Sequence, residues 1–362
     1  MVSIENLLLV FSASISGILL FICGIITLLY AINRKNSLIL LFAINWFLFS
    51  GFWFLDAAAH FFYSTLLMAI AFIPQCLGVP CIIIFLELIK KENVSPIKIT
   101  VLIVIEIFLL VFAFLPDGMV IIDGYGVHSR GVFRIFQIIF LLYYAFFYLS
   151  WSYQTWKKAP LELKRLVNLL LFGSILFSIV TAAMYALGSF IKLFNPIAFI
   201  IHSIGGLITI IIIWKEPKII YILPFKAYRV LVVDTNTGIA VFKYDWAKIG
   251  EVEENIFSMV LQAIGSILDE VLKKGEVREI QMDRAVLLIQ HDKKYPLASV
   301  LIASKSSKSL RYGLKSFNDH FISDFYSGSD EFYEVSRFED AKKIVENIFD
   351  FVPEYKNVSL KK

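Results

Sequence analysis

The sequence of this 362-residue chain has little charge, little histidine and almost no cysteine. Charged residues make up 18% of the chain and hydrophobic residues 58%. Because soluble domains carry roughly 25% charged residues, this composition excludes a purely soluble protein and indicates a membrane protein. The three cysteines, Cys23, Cys76 and Cys81, lie in apolar runs without Cys-x-x-Cys spacing. We therefore expect no disulfide framework, and with five histidines in the chain no zinc or haem site and no other cofactor.

Signatures of catalysis and of nucleic-acid binding are also missing from the sequence. No GxxxxGK[ST] loop, GxGxxG after a strand, GxSxG elbow or HExxH helix occurs, so we expect no enzyme. Up to Pro224 the chain has 14 Lys and Arg against 9 Asp and Glu, and beyond it 20 against 21. The more polar half thus has no basic excess, and no nucleic-acid partner is predicted.

Seven apolar runs are long enough to cross the bilayer, which requires roughly 20 helical residues for about 30 Å of hydrocarbon. The third run contains Pro74, Gly78 and Pro80, which predicts a kinked helix. Because the number of spans is odd, the two ends of the chain are expected on opposite sides of the membrane. The predicted spans are 7–32, 37–59, 65–89, 98–116, 133–155, 164–190 and 196–214.

Lysine and arginine are unequally divided between the two sets of loops. One set holds eleven of them, and the other holds three, Arg130, Arg134 and Lys192. Cytoplasmic loops carry the excess of positive charge in membrane proteins. We therefore predict a multi-pass protein of the cell membrane with its amino terminus outside and its carboxyl-terminal domain in the cytoplasm. The basic set is Arg34, Lys35, Lys90, Lys91, Lys98, Lys157, Lys158, Lys164, Arg165, Lys215 and Lys218.

The longest loop on the predicted outer side, residues 117–132, is rich in glycine. Four glycines and two Asp-Gly pairs surround the β-branched run Val120-Ile-Ile122. Asp-Gly pairs beside such a run are typical of tight β-hairpins. We expect a small hairpin that covers the outer mouth of the helix bundle.

Several polar residues lie in the outer halves of the spans. Asp56 and His60 are four residues apart and so share one helix face. Ionisable groups inside a span usually face the bundle interior or a water-filled cavity. We predict a pocket for a small polar ligand or a proton beneath the hairpin; the alternative is that Asp56 and His60 are solvated and that His202 only bridges two helices. The predicted lining is Asp56, His60, Gln137, Tyr185 and His202.

Glu106 lies near the middle of the fourth span, where a carboxylate is costly unless it is protonated or paired. Asn45 and Gln75, which are also in apolar runs, or the backbone of the third helix are the predicted partners of Glu106.

The first 215 residues resemble the seven-helix sensor region at the amino end of some microbial histidine kinases. The resemblance rests on the seven spans, the outer amino terminus and the loop motif Tyr125-Gly-Val…Gly131-Val-Phe. It implies a prokaryotic sensor module. No phosphoacceptor-histidine helix with an ATP-binding domain follows, so the output is expected to differ from a kinase.

The sequence that follows the seven predicted spans indicates the element order ββαβββαα, with a five-stranded antiparallel sheet. Strands are expected at 228–233, 239–244, 277–281, 285–290 and 297–303, and helices near 251–275, 307–326 and 338–351. Alternation around Ile280 favours a sheet with one face toward water. The predicted organisation is a helical membrane domain at 1–214, an interfacial linker at 215–227, an α+β domain at 228–352 and a tail at 353–362.

The α+β part resembles the longin domains of the roadblock and longin superfamily. The resemblance rests on the element order, on Val-Leu-Val-Val-Asp-Thr-Asn-Thr-Gly-Ile-Ala-Val-Phe at 230–242 and on Leu314, Phe317, Phe321 and Phe325. It implies a protein-binding module whose partner is a small GTPase or another longin or roadblock protein. A homodimer is a further option.

Together these patterns predict a receptor-like signalling or adaptor protein of the membrane. A pocket in the outer half of the bundle would control a cytoplasmic domain that docks a partner. Two alternatives stay open. One is a transporter or channel with a regulatory cytoplasmic domain, which inverted repeats with interrupted helices would favour. The other is a membrane-tethered scaffold without a ligand, whose bundle would lack a cavity near Asp56 and His202.

Overall fold

A computed structural model gives the fold as two compact units, Met1–Ile219 and Ile220–Lys362. The seam between them contains one short 3-10 helix, Pro217–Ile222. The structure describes residues 3–33, 37–91, 93–122, 124–188, 190–235, 237, 239–247, 278–283, 285–292, 294–325, 338 and 340–355.

The first unit has seven apolar helices long enough to span a membrane among its described residues. The protein is therefore a multi-pass membrane protein, and the predicted number of spans is confirmed. The sixth span, Leu161–Leu187, consists of two α-helices joined by a π-helical segment. The helices are α1 (Ile4–Asn33), α2 (Ser37–Phe61), α3 (Thr65–Lys91), α4 (Pro96–Phe114), α5 (Gly131–Lys158), α6 (Lys164–Ile175), α7 (Thr181–Leu187) and α8 (Phe194–Lys215).

The spans close into a ring with one helix outside it. Helix α1 packs against α2 and α8, α2 against α3, α3 against α5, and α5 against α6, which returns to α8. Helix α4 packs on α3 and α5 from outside the ring. Much of α4 is consequently exposed, with Ile107 at 55% and Val111 at 52%, as expected of a helix that faces lipid.

Two short strands in the loop between α4 and α5 form the predicted hairpin. Strand β1 (Met119–Ile122) pairs antiparallel with β2 (Gly126–Ser129). Gly124 and Gly126 have φ angles of +74° and +110°. Only glycine adopts such angles without strain, which is why this loop is glycine-rich. The hairpin lies at the end of the bundle where α2 ends and α5 begins, here called the hairpin end.

The interruption in the bundle lies in the sixth span and not in the third. Helix α3 continues through both Pro74 and Pro80, whereas residues Leu176–Val180 between α6 and α7 form a π-helical turn. Glycines bring this region against α8. A Cβ atom on Gly205 would lie 2.6 Å from both the carbonyl oxygen of Gly173 and the backbone nitrogen of Phe177. The backbones of the sixth and seventh spans therefore approach each other too closely for any side chain.

The second unit is a five-stranded antiparallel sheet with strand order β4-β3-β7-β6-β5. The predicted sheet is confirmed, whereas its assignment to the longin domains remains a prediction. The helix predicted near 251–275 lies outside the described residues. The elements are β3 (Ala227–Asp234), β4 (Ala240–Asp245), β5 (Glu279–Gln281), β6 (Val286–His291), β7 (Leu297–Ala303), α9 (Lys308–Phe325) and α10 (Ala341–Ile348).

Both faces of the central strands are buried. Val230 and Val232 join the main core with α9 and α10, while the alternate residues Leu231 and Val233 belong to a second apolar cluster. The expectation that one sheet face meets water is therefore wrong for the centre of the sheet. It holds at the edge strand β5, where Glu279 and Gln281 are exposed.

Replacing Gly205 by alanine tests the close approach of α6 and α8. The added methyl group would overlap backbone atoms that cannot rotate away, and we expect a loss of roughly 1–3 kcal/mol in the free energy of unfolding. Gly51→Ala is the matched control, because its Cβ would have its nearest neighbour at 3.8 Å. Thermal unfolding in detergent should show a lower midpoint for Gly205→Ala alone. Equal midpoints for the two variants would contradict the described packing.

Candidate ligand-binding cavity

A cavity of about 100 Å³ lies within the ring of helices at its hairpin end. One water molecule needs about 10–15 Å³ of such a cavity, so the space admits a small organic molecule. Helices α1, α2, α3, α5, α7 and α8 and the hairpin all contribute residues, and α4 contributes none. The lining comprises Leu9, Phe49, Phe52, Trp53, Asp56, His60, Met68, Phe72, Gln75, Tyr125, Val127, His128, Ser129, Phe133, Arg134, Gln137, Phe140, Leu141, Tyr144, Thr181, Tyr185, Asn195, Ala198, Phe199 and His202.

All five residues predicted for a ligand site face this one cavity: Asp56, His60, Gln137, Tyr185 and His202. Asp56, His60 and His202 are 5%, 4% and 3% exposed, so these side chains are buried within the bundle and not exposed at its outer surface. The structure establishes their position, and their role in binding a ligand remains a prediction.

The lining changes in character with depth along the helices. Helix α2 presents Phe49, Trp53, Asp56 and His60 to the cavity, at spacings of four, three and four residues that keep one helix face. His60 is at the hairpin end, and Phe49 lies about 16 Å deeper at 1.5 Å per residue. Helix α5 repeats the pattern, from Arg134 and Gln137 to Phe140 and Tyr144. The cavity is therefore polar and charged near the hairpin and aromatic toward the middle of the bundle.

Polar side-chain atoms around the cavity are buried without a partner. Within the part of the chain that the structure describes, eight such atoms of lining residues have no hydrogen bond. Leaving a buried polar atom unsatisfied costs about 1–3 kcal/mol. So many around one space is the arrangement expected where water or a ligand supplies the missing partners. The atoms are Trp53 Nε1, Asp56 Oδ2, His60 Nδ1, Gln75 Oε1, Gln137 Oε1, Tyr144 Oη, Asn195 Oδ1 and His202 Nε2.

His202 links the cavity to the π-helical segment. Its Nδ1 atom lies 3.2 Å from the carbonyl oxygen of Phe177. A carbonyl oxygen only accepts, so Nδ1 carries the proton, and Nε2 of the neutral ring is an acceptor. The ring also stacks on Phe177 at 4.1 Å between centroids. His202 does bridge two helices as the structural alternative proposed, and it still presents an unpartnered acceptor to the cavity.

The hairpin is fastened to the bundle by side chains from several helices. The Asn6 amide of α1 donates to the carbonyl oxygens of His60 and Tyr125, each at 3.1 Å. From the neighbouring helix α8, Asn195 donates to the Tyr125 hydroxyl at 2.5 Å. Gly126 allows the hairpin to lie against α2, because a Cβ atom at this position would lie 2.5 Å from His60 Nδ1. These contacts hold the hairpin directly against the cavity.

Arg134 holds the second strand of the hairpin. Its Nη1 atom lies 3.2 Å from His128 Nε2 and 3.4 Å from the carbonyl oxygen of Ser129, and its guanidinium lies over the Tyr185 ring at 5.6 Å. Because arginine only donates, His128 Nε2 must accept. Burial first, and then the positive charges of Arg134 and Lys192, lower the pKa of His128 below its ordinary value of 6.5.

Sequence reasoning missed Arg134, His128 and Asn195 as cavity residues. Arg134 and Lys192 entered that reasoning only as loop charges that set orientation. The usable signal was position: Arg134 and Gln137 are three residues apart and so share a helix face. A residue three positions away from a predicted site residue on the same helix lies on the same surface of that helix.

The predicted partners of Glu106 were wrong. Among the described residues neither Asn45 nor Gln75 bonds to it, and its Oε1 atom has no partner. For Asn45 the reason is topological, because Glu106 is on α4 outside the ring, whereas Asn45 is on α2. Asn45 is fully buried, and Gln75 is half-buried and lines the cavity.

Comparisons with protein-family models, curated proteins and solved structures found no match. In the described ranges, no group of three or more His, Cys, Asp and Glu residues is placed to hold a metal ion. The established class is thus a seven-helix membrane protein with a five-stranded sheet domain.

The lowered pKa of His128 predicts a pH-dependent stability. Between pH 6.5 and the lower native pKa the unfolded chain binds the proton and the native chain does not, so stability falls as the pH falls through this range. We expect the thermal midpoint of the full-length protein to drop more between pH 7.5 and 5 for the wild type than for His128→Gln. His320→Gln, at an exposed site on α9, should keep the wild-type slope. An unchanged slope in His128→Gln would contradict the lowered pKa of His128.

Proposed function

We propose that the protein is a membrane receptor-like signalling protein of prokaryotic type. Its seven-helix unit binds a small polar molecule in the cavity beneath the hairpin, and its sheet domain docks a protein partner. The amino terminus and the hairpin face the outside, and the sheet domain faces the cytoplasm, as the eleven basic residues of the opposite loops indicate. No step of this function requires catalysis.

The observation that carries the proposal is the set of unpartnered buried atoms around one cavity. Three of them, on Asp56, His60 and His202, belong to ionisable side chains that are at least 95% buried. Ionisable groups within membrane spans are costly and mark ligand or ion pathways. A scaffold that binds nothing has no use for such a cavity, which favours the receptor over that alternative.

A transporter is the second candidate, favoured by the π-helical turn in the sixth span. π-helical turns occur often at functional sites, and this one is bonded to the cavity through His202. Transport would require the cavity to open to both sides of the membrane in turn. Uptake of a cavity ligand into proteoliposomes, driven by its gradient, would favour transport, and saturable binding without uptake favours the receptor.

The proposed output is protein docking by the sheet domain. Its resemblance to longin domains supports a small GTPase or another longin or roadblock protein as partner. A second copy of this chain is a further possible partner of the sheet domain. Chemical cross-linking of the full-length protein in its native membrane, followed by mass spectrometry of the products, tests this. Capture of a protein from either class at the sheet domain is expected, and cross-links to lipid-facing helices alone would contradict it.

Signals would pass from the cavity along the seventh span. His202 and Trp214 are on the same helix, α8, which leads into the segment 215–224 before strand β3. The segment is short and contains Pro217 and Pro224, and proline restricts the backbone. A displacement of α8 by a ligand at His202 would therefore be transmitted to β3 with little loss of amplitude.

Filling the cavity tests the proposed binding. Ala198 lines the cavity and is 1% exposed, so Ala198→Phe should occupy the space that a ligand needs. Ile204→Phe, at an exposed position on the same helix, is the matched control. In a small-molecule screen of the full-length protein in nanodiscs, we expect compounds that raise the thermal midpoint of the wild type and of Ile204→Phe but not of Ala198→Phe.

The same screen gives the contrary outcome. If every stabilising compound acts equally on Ala198→Phe and on the wild type, binding occurs elsewhere and the cavity is not the ligand site. Hydrogen exchange in β3 then tests the signal. A cavity ligand should change exchange in the wild type, and replacement of 215–224 by a Gly/Ser linker of twice the length should abolish the change.

A further inference from the structure

The charges that line the cavity point to a particular class of ligand. Among the described lining residues, Asp56 and Arg134 are the two side chains of the Asp, Glu, Lys and Arg types. Their ionised forms are of opposite sign, and they come from two helices of the ring, α2 and α5, that both pack on α3. A ligand of net charge would enter with its charge matched by one of them and opposed by the other. A neutral molecule with separated positive and negative groups would match both.

Hydrogen-bond donors are required at one side of the site. Asp56 Oδ2 and His202 Nε2 are buried and unpartnered. His202 Nε2 accepts, and Asp56 Oδ2 accepts when its carboxyl group is ionised. His60 Nε2 lies 3.9 Å from Asp56 Oδ2, too far for a hydrogen bond. An ammonium group has three donors and a positive charge, which match acceptors of both kinds.

Aromatic rings flank this side of the site and favour the same group. The ring centroids of Trp53 and His202 are 5.9 Å apart, and those of Trp53 and Phe199 are 4.5 Å apart. Cations within about 6 Å of an aromatic face, tryptophan above all, are attracted to it. Trp53 and Asp56 are on the same helix face, so one cation reaches the ring and the carboxylate together.

A carboxylate is the group that Arg134 recognises best. The guanidinium is planar, permanently charged and presents five donors in a fork that matches two carboxylate oxygens. It is held in place by His128 and the Ser129 carbonyl, which lowers the entropy cost of binding. Gln137 lies one turn deeper on the same face, beside the space that separates Arg134 from the aromatic end.

We propose that the cavity binds a small zwitterion with an ammonium group, a carboxylate group and an apolar body, the chemical class of apolar α-amino acids. The ammonium group faces Asp56 and His202, the carboxylate faces Arg134, and the apolar body lies among the aromatic side chains deeper in the bundle. This assignment rests on the proposed function, in which the cavity is the ligand site. The volume of about 100 Å³ suits a molecule of this size.

Two matched trios of compounds test the class. The first is leucine, 3-methylbutylamine and 4-methylpentanoate, and the second is phenylalanine, 2-phenylethylamine and 3-phenylpropanoate. Each trio keeps the apolar body and removes one charged group at a time. By calorimetry on the full-length protein in nanodiscs, we expect the amino acid of at least one trio to bind about tenfold or more tighter than either fragment, which is about 1.4 kcal/mol.

Variants assign each charged group to its partner. Asp56→Asn should remove the advantage of the amino acid over its acid fragment, and Arg134→Gln its advantage over the amine. Arg134→Lys, which keeps the charge but not the fork, should fall between Arg134→Gln and the wild type. Asp117→Asn and Arg130→Gln, outside the lining, are the controls, and each variant must elute as a single monodisperse species before it is compared.

The proposal is overturned if an amine or acid fragment binds as tightly as its amino acid, or if the variants leave the ranking unchanged. It is also overturned if neither trio binds. If neither trio binds, the wider screen decides whether the cavity is a ligand site at all. A compound from that screen whose binding is lost in Ala198→Phe would support the proposed function with a ligand of another class. Absence of any such compound would remove the proposed function as well.

Discussion

The satisfaction of buried polar groups is the constraint on which this structure depends. In the interior of a membrane protein no bulk water is present to bond to an exposed donor or acceptor, so each such group needs a partner within the protein or a bound molecule. The helical ring, closed by the hairpin, encloses Asp56 and His202 with acceptor atoms that the described residues leave unpartnered. The cavity between them is where those partners belong.

Close backbone packing makes this enclosure possible. Gly173 and Gly205 let the sixth and seventh spans meet, and small residues at such contacts are typical of membrane helices. The adjacent π-helical turn widens the sixth span and frees carbonyl groups. Ser178 donates to the Ser174 carbonyl, and His202 donates to that of Phe177. The turn is thus stabilised by side chains, and one of them is a cavity residue. A ligand at His202 would therefore lie beside this turn.

The hairpin has the same double role at the end of the cavity. Asn6, Asn195 and Arg134 bind it from α1, α8 and α5, so that its position reports on three helices at once. Entry of a ligand from the hairpin end requires some of these bonds to open. The same bonds, when closed, separate the ligand from water and strengthen the electrostatic contacts within the site.

Periodicity and residue chemistry were sufficient for most of the fold. Apolar length located the seven spans, Asp-Gly pairs located the hairpin, and short apolar runs between polar turns located the strands of the sheet. The face shared by Asp56 and His60 led correctly to the cavity. The sequence could not indicate that α4 lies outside the ring, because span order does not determine which helices are neighbours. The prediction of Asn45 on α2 as a partner of Glu106 was therefore wrong. Nor could the sequence reveal the π-helical turn, since no proline or charge marks Leu176–Val180.

The central claim is that a molecule occupies the cavity and satisfies Asp56 and His202. Native mass spectrometry of the protein, released from its own membrane in nanodiscs without added ligand, measures this directly. We expect an adduct of small-molecule mass on the wild type that is reduced in Ala198→Phe and retained in Ile204→Phe. A wild-type protein of the bare polypeptide mass, under conditions that preserve bound lipid, would contradict the account.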